Sequence, residues 1–210
     1  MTTTPVRPRP VHPRDAASLV ILRHRANGPE VLMGRRHSKH RFMPDVYVFP
    51  GGRLDRADYR TRLSSALRPE VAETLERHWS RDKSRGLAVA AARETFEESG
   101  LVFGAVNQGR LEPNLESFDY IARAITPADN PIRFHARFFL TDVETASGEV
   151  RDSMELQDLK WLAIEDALAM PLVDVTEFVL QEITRRLGGW RPPGVPLFYF
   201  SGGATCIRYE

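Results

Sequence analysis

The chain has 210 residues, enough for one good-sized domain with a core of its own. Its 29 Lys and Arg nearly cancel its 28 Asp and Glu, leaving a net charge of +1, so no global field draws it to nucleic acid or to a membrane surface. One cysteine, Cys206, excludes an internal disulfide and a cysteine zinc site.

Residues 1–15 are rich in Pro and Arg and lack an apolar core, so they are read as an extended arm and not as a secretory leader. No apolar run approaches the ~20 residues that span a bilayer, and a cytoplasmic location without membrane contact is expected.

Ala17–Leu22 is short and apolar and suits a buried strand. Asn27-Gly28-Pro29 is a turn signal, after which 30–33 reads as a returning strand. A basic loop, 35–41, leads to a third strand at 45–49, stopped by Pro50-Gly51-Gly52. Tyr59, Leu63 and Leu67 recur every four residues, as do Val71, Leu75 and Trp79, which predicts two amphipathic helices with Pro69 opening the second. A third helix is predicted from about Leu87 to Ser99, closed by Gly100. Residues 115–125 are read as helical and 132–143 as a strand. Residues 156–162 form a short strand carrying Trp161, 164–170 and 174–187 are helices, and 195–210 hold two strand-like pieces. The pattern predicts one α/β domain, with a mixed sheet between helices. Its expected divisions are the arm (1–15), the domain (16–190, with a helical insertion at about 53–86) and a C-terminal extension (191–210).

The chemistry concentrates in the third helix. Glu94 lies three and four positions before Glu97 and Glu98, so three carboxylates share one face. They stand near the helix C-terminus, where the macrodipole disfavours negative charge. Oxygen-ligated Mg2+ or Mn2+ removes both conflicts. Arg93 is placed to pair with Glu97, and alanines at 88 and 90–92 allow close packing.

Phe49-Pro50-Gly51-Gly52 followed by Arg93-Glu94-Thr95-Phe96-Glu97-Glu98-Ser99-Gly100-Leu101 resembles the signature of the Nudix hydrolase superfamily. That pattern is a glycine, five residues, a glutamate, seven residues, then R-E-U-x-E-E-x-G-U, with U a bulky aliphatic. Thr95 is a mild departure at the first U. Gly52 and Arg93 are 41 positions apart (93 minus 52) against 14 in the pattern, an excess of 27 attributed to the helical pair. Counted back from Arg93, the early glutamate falls on Arg85, so its contact is lost or passes to another acid, with Asp55 and Asp82 as candidates.

The resemblance implies metal-dependent hydrolysis of a nucleoside diphosphate linked to another group. Glu94, Glu97 and Glu98 would bind Mg2+ or Mn2+, joined by a backbone carbonyl at Gly51 or Gly52. Glu97 and Arg93 are carried over as catalytic, Arg93 by orienting the carboxylates. Glu155, six residues before Trp161, is the favoured general base, with Glu149, Asp152 and Asp158 as competitors. Arg35, Arg36 and Arg41, with Gly51, are the expected substrate-binding residues. His37 and His40 are not read as a zinc pair, and His135 is read as a hydrogen-bonded core residue or pocket wall.

The stretch from His40 to Asp55, with its long insertion, is similar to the branch containing peroxisomal-type coenzyme A diphosphatases. That implies coenzyme A or acyl-CoA as substrate, with ADP-ribose, NADH and other dinucleotides or nucleotide sugars as alternatives. A catalytically silent nucleotide-binding regulator is the rival from another class. No nucleic-acid partner is expected. The apolar faces of the inserted helices must be covered, by their own domain or by a second copy, and a homodimer is favoured.

Overall fold

The computed structural model describes residues 11–37 and 43–210. Arg41, His40 and most of the N-terminal arm lie outside the described residues. A nine-stranded mixed sheet is covered by helices on both faces, as the α/β pattern predicts. Its central strand, β1 (Arg14–Arg25), runs antiparallel to β2 (Gly28–Arg36) and parallel to β8 (Phe134–Asp142). β7 (Asp119–Ile125) follows β8, and the hairpin β10 (Pro196–Ser201) and β11 (Ala204–Tyr209) extends that edge. At the other edge β2 pairs with β3 (Tyr47–Val48) and β9 (Leu156–Ala163), and β4 (Gly51–Arg53) pairs with β1.

β1 is buried on both faces, and its alternation divides the core. Ala17, Leu19 and Ile21 pack toward α1 (Pro69–Glu76) and α2 (Arg81–Ser99). Val20 and Leu22 pack toward α3 (Ile164–Leu168) and α4 (Asp174–Leu187). Strands buried on both faces read as continuous apolar runs.

That explains one correction. Residues 115–125 are not helical: Asp119–Ile125 is β7, whose interior is buried from Tyr120 through Ala124. With both faces buried, Arg123 included, the strand has no solvated face to impose a period of two. The short hairpin β5 (Gly104–Asn107) and β6 (Arg110–Pro113), turning through Gln108-Gly109, also escaped the sequence reading.

The insertion contains one amphipathic helix, not two. Residues 58–60 form a 3-10 turn, and the segment after it is held by tertiary hydrogen bonds. The Ser64 N–H donates to the Pro113 carbonyl, and the Leu115 N–H to that of Ser65. Long-range partners for the backbone override a four-residue spacing. Pro69 does open α1 as expected. Leu63, Leu67, Val71, Leu75 and Trp79 all pack on the domain's own core, so this face needs no second copy to cover it.

α2 begins at Arg81, six residues earlier than the reading from Leu87. Ser80 caps it, its Oγ accepting from the Lys83 N–H at 3.3 Å. Gly100 ends it in the left-handed conformation (φ 78°), as expected of a glycine there. Ala88 and Ala90–Ala92 are fully buried and let α2 lie close on β1.

Candidate active site

β4 and the last two turns of α2 build the site. Gly51 and Gly52 pair with Ser18 and Ala17 of β1, which fixes their backbone beneath α2. The Gly51 N–H donates to Glu98 Oε2 at 2.8 Å. A side chain at Gly52 would bring its Cβ within 2.3 Å of the Glu94 carboxylate, so only glycine permits this approach. A Cβ at Gly51 would strike Ser18 Oγ at 2.3 Å.

Arg93 organises the acids. Its Nη1 donates to Glu94 at 2.9 Å and to Glu97 at 3.2 Å, and its Nη2 to the Arg53 carbonyl at 3.0 Å. Nε and Nη2 reach the two carboxylate oxygens of Asp58 at 2.8 and 3.1 Å, a bidentate pair. Burial works against the Arg93 charge, but Asp58 and Glu94 outweigh it and hold the guanidinium protonated.

Asp58 is the acid that the sequence reading missed. It is fully buried, and neither Asp55 nor Asp82 takes its place, since both are exposed. The signal was there to be counted: Asp58 stands six positions after Gly52, where the superfamily pattern puts its early glutamate. The whole excess of 27 residues therefore falls between Asp58 and Arg93. Arg85, where counting backward had placed the glutamate, instead donates to the Tyr59 carbonyl at 2.9 Å and to that of Thr61. It thereby clamps the turn that carries Asp58.

The two inner glutamates are strained electrostatically. Burial pushes the Glu98 carboxyl up to about 8, against the Gly51 hydrogen bond, and Glu94 and Glu155 add to the rise. Burial also raises Glu94, opposed by Arg93, with Glu97 and Glu155 adding repulsion. Glu97 is half exposed. Glu155, an exposed residue immediately before β9, thus contributes to the field at both inner glutamates.

Arg36 joins them and Arg35 does not. Along β2 successive side chains alternate, and Arg36 shares the α2 side with Leu32. Burial lowers its pKa, while Glu98 and Glu155 hold it charged. Arg35 points to the other face, where it lies 3.5 Å from Asp45 and within the field of Asp158. Asp158 itself accepts from Tyr47 and Lys160 on that side, so it does not compete with Glu155.

Among the described residues, no three His, Cys, Asp or Glu side chains are grouped to hold an ion as they stand. Glu94 and Glu97 accept from Arg93 while Glu98 accepts from Gly51. The donor set nevertheless fits a hard divalent cation. It is all oxygen, two of its carboxylates are desolvated without a full counter-charge, and Glu97 is half exposed, its carboxylate tied among the described residues only by a 3.2 Å bond from Arg93.

The chain resembles a solved Nudix hydrolase from Alicyclobacillus acidocaldarius, with 27% identity and a TM-score of 0.62. The match covers 81% of this chain and 90% of that one. In both sequence and fold the chain thus resembles the Nudix hydrolase superfamily. A MutT Nudix hydrolase from Burkholderia pseudomallei shares the fold, with 22% identity, a TM-score of 0.51, and 82% and 99% of the two chains covered. So does the Nudix domain of Shewanella oneidensis NrtR, complexed with ADP ribose, at 14% identity, a TM-score of 0.53, and 84% and 90% coverage. Nudix hydrolase 7 of Caenorhabditis elegans is 26% identical over 175 residues, which are 71% of this chain. The chain spans about half the length of that curated relative. No protein-family model matches the chain. No helix among the described residues is long and apolar enough to cross a membrane.

Proposed function

We propose that this protein hydrolyses the diphosphate bond of a nucleoside diphosphate linked to another group, with Mg2+ or Mn2+ as cofactor. The observation that carries the reading is the desolvated Glu94–Glu98 pair, packed on Gly51–Gly52 and braced by Arg93 and Asp58. A stable fold gains nothing from burying two carboxylates so that, even with Arg93 and Arg36 nearby, burial and repulsion from other carboxylates still raise the pKa of both. Glu94, Glu97 and Glu98, with the Gly52 carbonyl, are the residues we assign to the cation. When bound, the cation neutralises diphosphate charge and lowers the pKa of a water.

The chain's own groups do the rest. Arg93 fixes the carboxylates against Asp58. Arg36 binds a phosphate oxygen through its planar fork, with the Gly51 backbone lining the same side. Glu155, beside Glu94 and Glu98, takes the proton of the attacking water. Arg35, on the opposite face, is dropped from the substrate set.

For substrate we propose coenzyme A or acyl-CoA, supported by the sequence similarity at 40–55 and by the long insertion. The test offers purified protein coenzyme A, ADP-ribose, NADH and dinucleoside polyphosphates, each with Mg2+ or Mn2+. Preferential release of 3′,5′-ADP supports the proposal, and cleavage of the other substrates alone removes coenzyme A from it. A homodimer is a separate proposal, read from the mass in solution.

A further inference from the structure

One register line crosses four strands: Arg123 of β7, Arg137 of β8, Ala17 of β1 and Gly52 of β4. Arg123 and Arg137 thus stand directly opposite each other, 8% and 0% exposed. Like charges so placed destabilise a sheet unless counter-charge is supplied. What the protein supplies is shared. Arg137 Nη1 donates to Asp15 at 2.6 Å and to the His135 carbonyl at 2.5 Å, but Asp15 also pairs with Lys83 at 2.6 Å. Arg123 pairs with Glu210, which Arg208 and His78 also face.

Trp79, from the inserted segment, roofs the cluster. Its ring lies 4.2 Å from the Arg137 guanidinium carbon, 5.4 Å from that of Arg123 and 5.6 Å from the His135 ring. Around it, six buried polar atoms have no hydrogen-bond partner among the described residues: Arg137 Nε and Nη2, Arg123 Nε, His135 Nε2, the Tyr120 hydroxyl and the acceptor Glu210 Oε2, which is ion-paired with Arg123. Buried donors in native proteins are nearly always paired, so the three guanidinium nitrogens left over here, beside a hydroxyl and an imidazole that can also donate, mark a missing acceptor.

We propose that this cluster binds a phosphate-class oxyanion, held beneath Trp79 by Arg123, Arg137, Tyr120 and His135. The Nε/Nη2 edge of Arg137 matches the spacing of two tetrahedral oxyanion oxygens, Arg123 adds its Nε, and a dianion supplies the charge that Asp15 and Glu210 share out too thinly. Burial and the two arginines hold the His135 imidazole at about 3, so the ring is neutral and can donate from Nε2. The site lies apart from the glutamates, with Arg137 two strand spacings, about 10 Å, from Gly52 along the register line. Its roof comes from the insertion and its rim from Glu210, so the anion would fasten both to the sheet.

The probes are inorganic phosphate and adenosine 3′,5′-bisphosphate, titrated at constant ionic strength into the full chain exchanged into chloride buffer. We expect a saturable rise in Tm and a saturable change in tryptophan emission that Trp79→Phe removes. Tyr120→Phe and Arg123→Gln should each weaken binding about tenfold, the scale of one hydrogen bond to a charged group. Tyr120→Phe loses only a hydroxyl and keeps the test readable if Arg123→Gln does not fold. Tyr120-dependent binding of inorganic phosphate assigns the site to a free anion. Tyr120-dependent binding of the bisphosphate alone assigns it to a phosphoryl group on a larger ligand. The proposal is overturned if neither probe gives a saturable response. It is equally overturned if chloride reproduces that response, or if Tyr120→Phe or Trp79→Phe leaves it unchanged, since water then satisfies the donors.

Discussion

Asp58→Ala tests how the motif is held together across its interruption. The Asp58 carboxylate is fully buried, takes both arms of Arg93 at 2.8 and 3.1 Å, and accepts from the Asp55 N–H at 2.8 Å. Removing one partner of a buried ion pair costs about 3–5 kcal/mol, because the other charge is left behind. Arg93 would keep Glu94, Glu97 and the Arg53 carbonyl, and it is partly exposed, so the loss belongs at the low end, about 3 kcal/mol. For a chain of this size that is a fall in Tm of about 6–12 °C. Urea unfolding of metal-free protein should show a lower midpoint at unchanged slope. A double-mutant cycle with Arg93→Ala should return a coupling of about 2 kcal/mol. Asp55→Ala and Asp82→Asn, at exposed positions, should stay within about 0.5 kcal/mol of the parent. An Asp58→Ala protein as stable as the parent, or a cycle without coupling, would refute the assignment of Asp58 as the brace.

Four other outcomes follow from the same geometry. Gly52→Ala should fold but lose about a hundredfold or more in kcat, because the new Cβ displaces the Glu94 carboxylate 2.3 Å away; unchanged steady-state kinetics would contradict this. Arg36→Ala should lower kcat/KM about tenfold or more, while Arg35→Ala on the opposite face should stay within about twofold, and equal losses would show that the alternation along β2 has been misread. His135 is held at about 3, below its ordinary 6.5, so the unfolded chain takes up a proton that the folded one refuses. Its contribution is therefore complete above pH 6.5 and is lost as pH falls toward 3. In phosphate-free buffer the parent should lose about 2 kcal/mol more than His135→Gln between pH 6.5 and 4.5, and parallel profiles would remove the claim. Glu155→Gln should cut kcat and leave metal affinity near the parent value, which isothermal titration with Mn2+ would check; a large loss of affinity would make Glu155 a ligand and not a base.

The parts of the fold that were legible in the sequence are those with a local cause. Gly100 closes α2 because its left-handed φ favours a residue without a side chain, and Pro69 opens α1 because a first-turn residue needs no N–H. The helix at Asp174–Leu187 was readable from one clear apolar stripe. The parts that were not legible have distant causes. β7 is buried on both faces because it lies inside a sheet covered on either side, and nothing within Asp119–Ile125 announces that cover. The segment around Leu63 has a helical spacing, but Pro113 and Leu115 claim its backbone.

The site divides along the same line. Glu94, Glu97, Glu98 and Arg93 were readable because they lie within six residues on one helix. Asp58 is 35 positions from the arginine it braces, and only the count forward from Gly52 could have found it. Arg35 and Arg36 are neighbours in sequence, and only the strand's alternation separates them.

Diphosphate cleavage by the purified protein and by Glu98→Gln, with and without Mg2+ or Mn2+, tests the central claim most directly. The account predicts hydrolysis that requires the metal and falls by at least about a hundredfold in Glu98→Gln, whose fold persists because the amide oxygen can still accept from Gly51. Cleavage that is full without metal, or undiminished in Glu98→Gln, would contradict it.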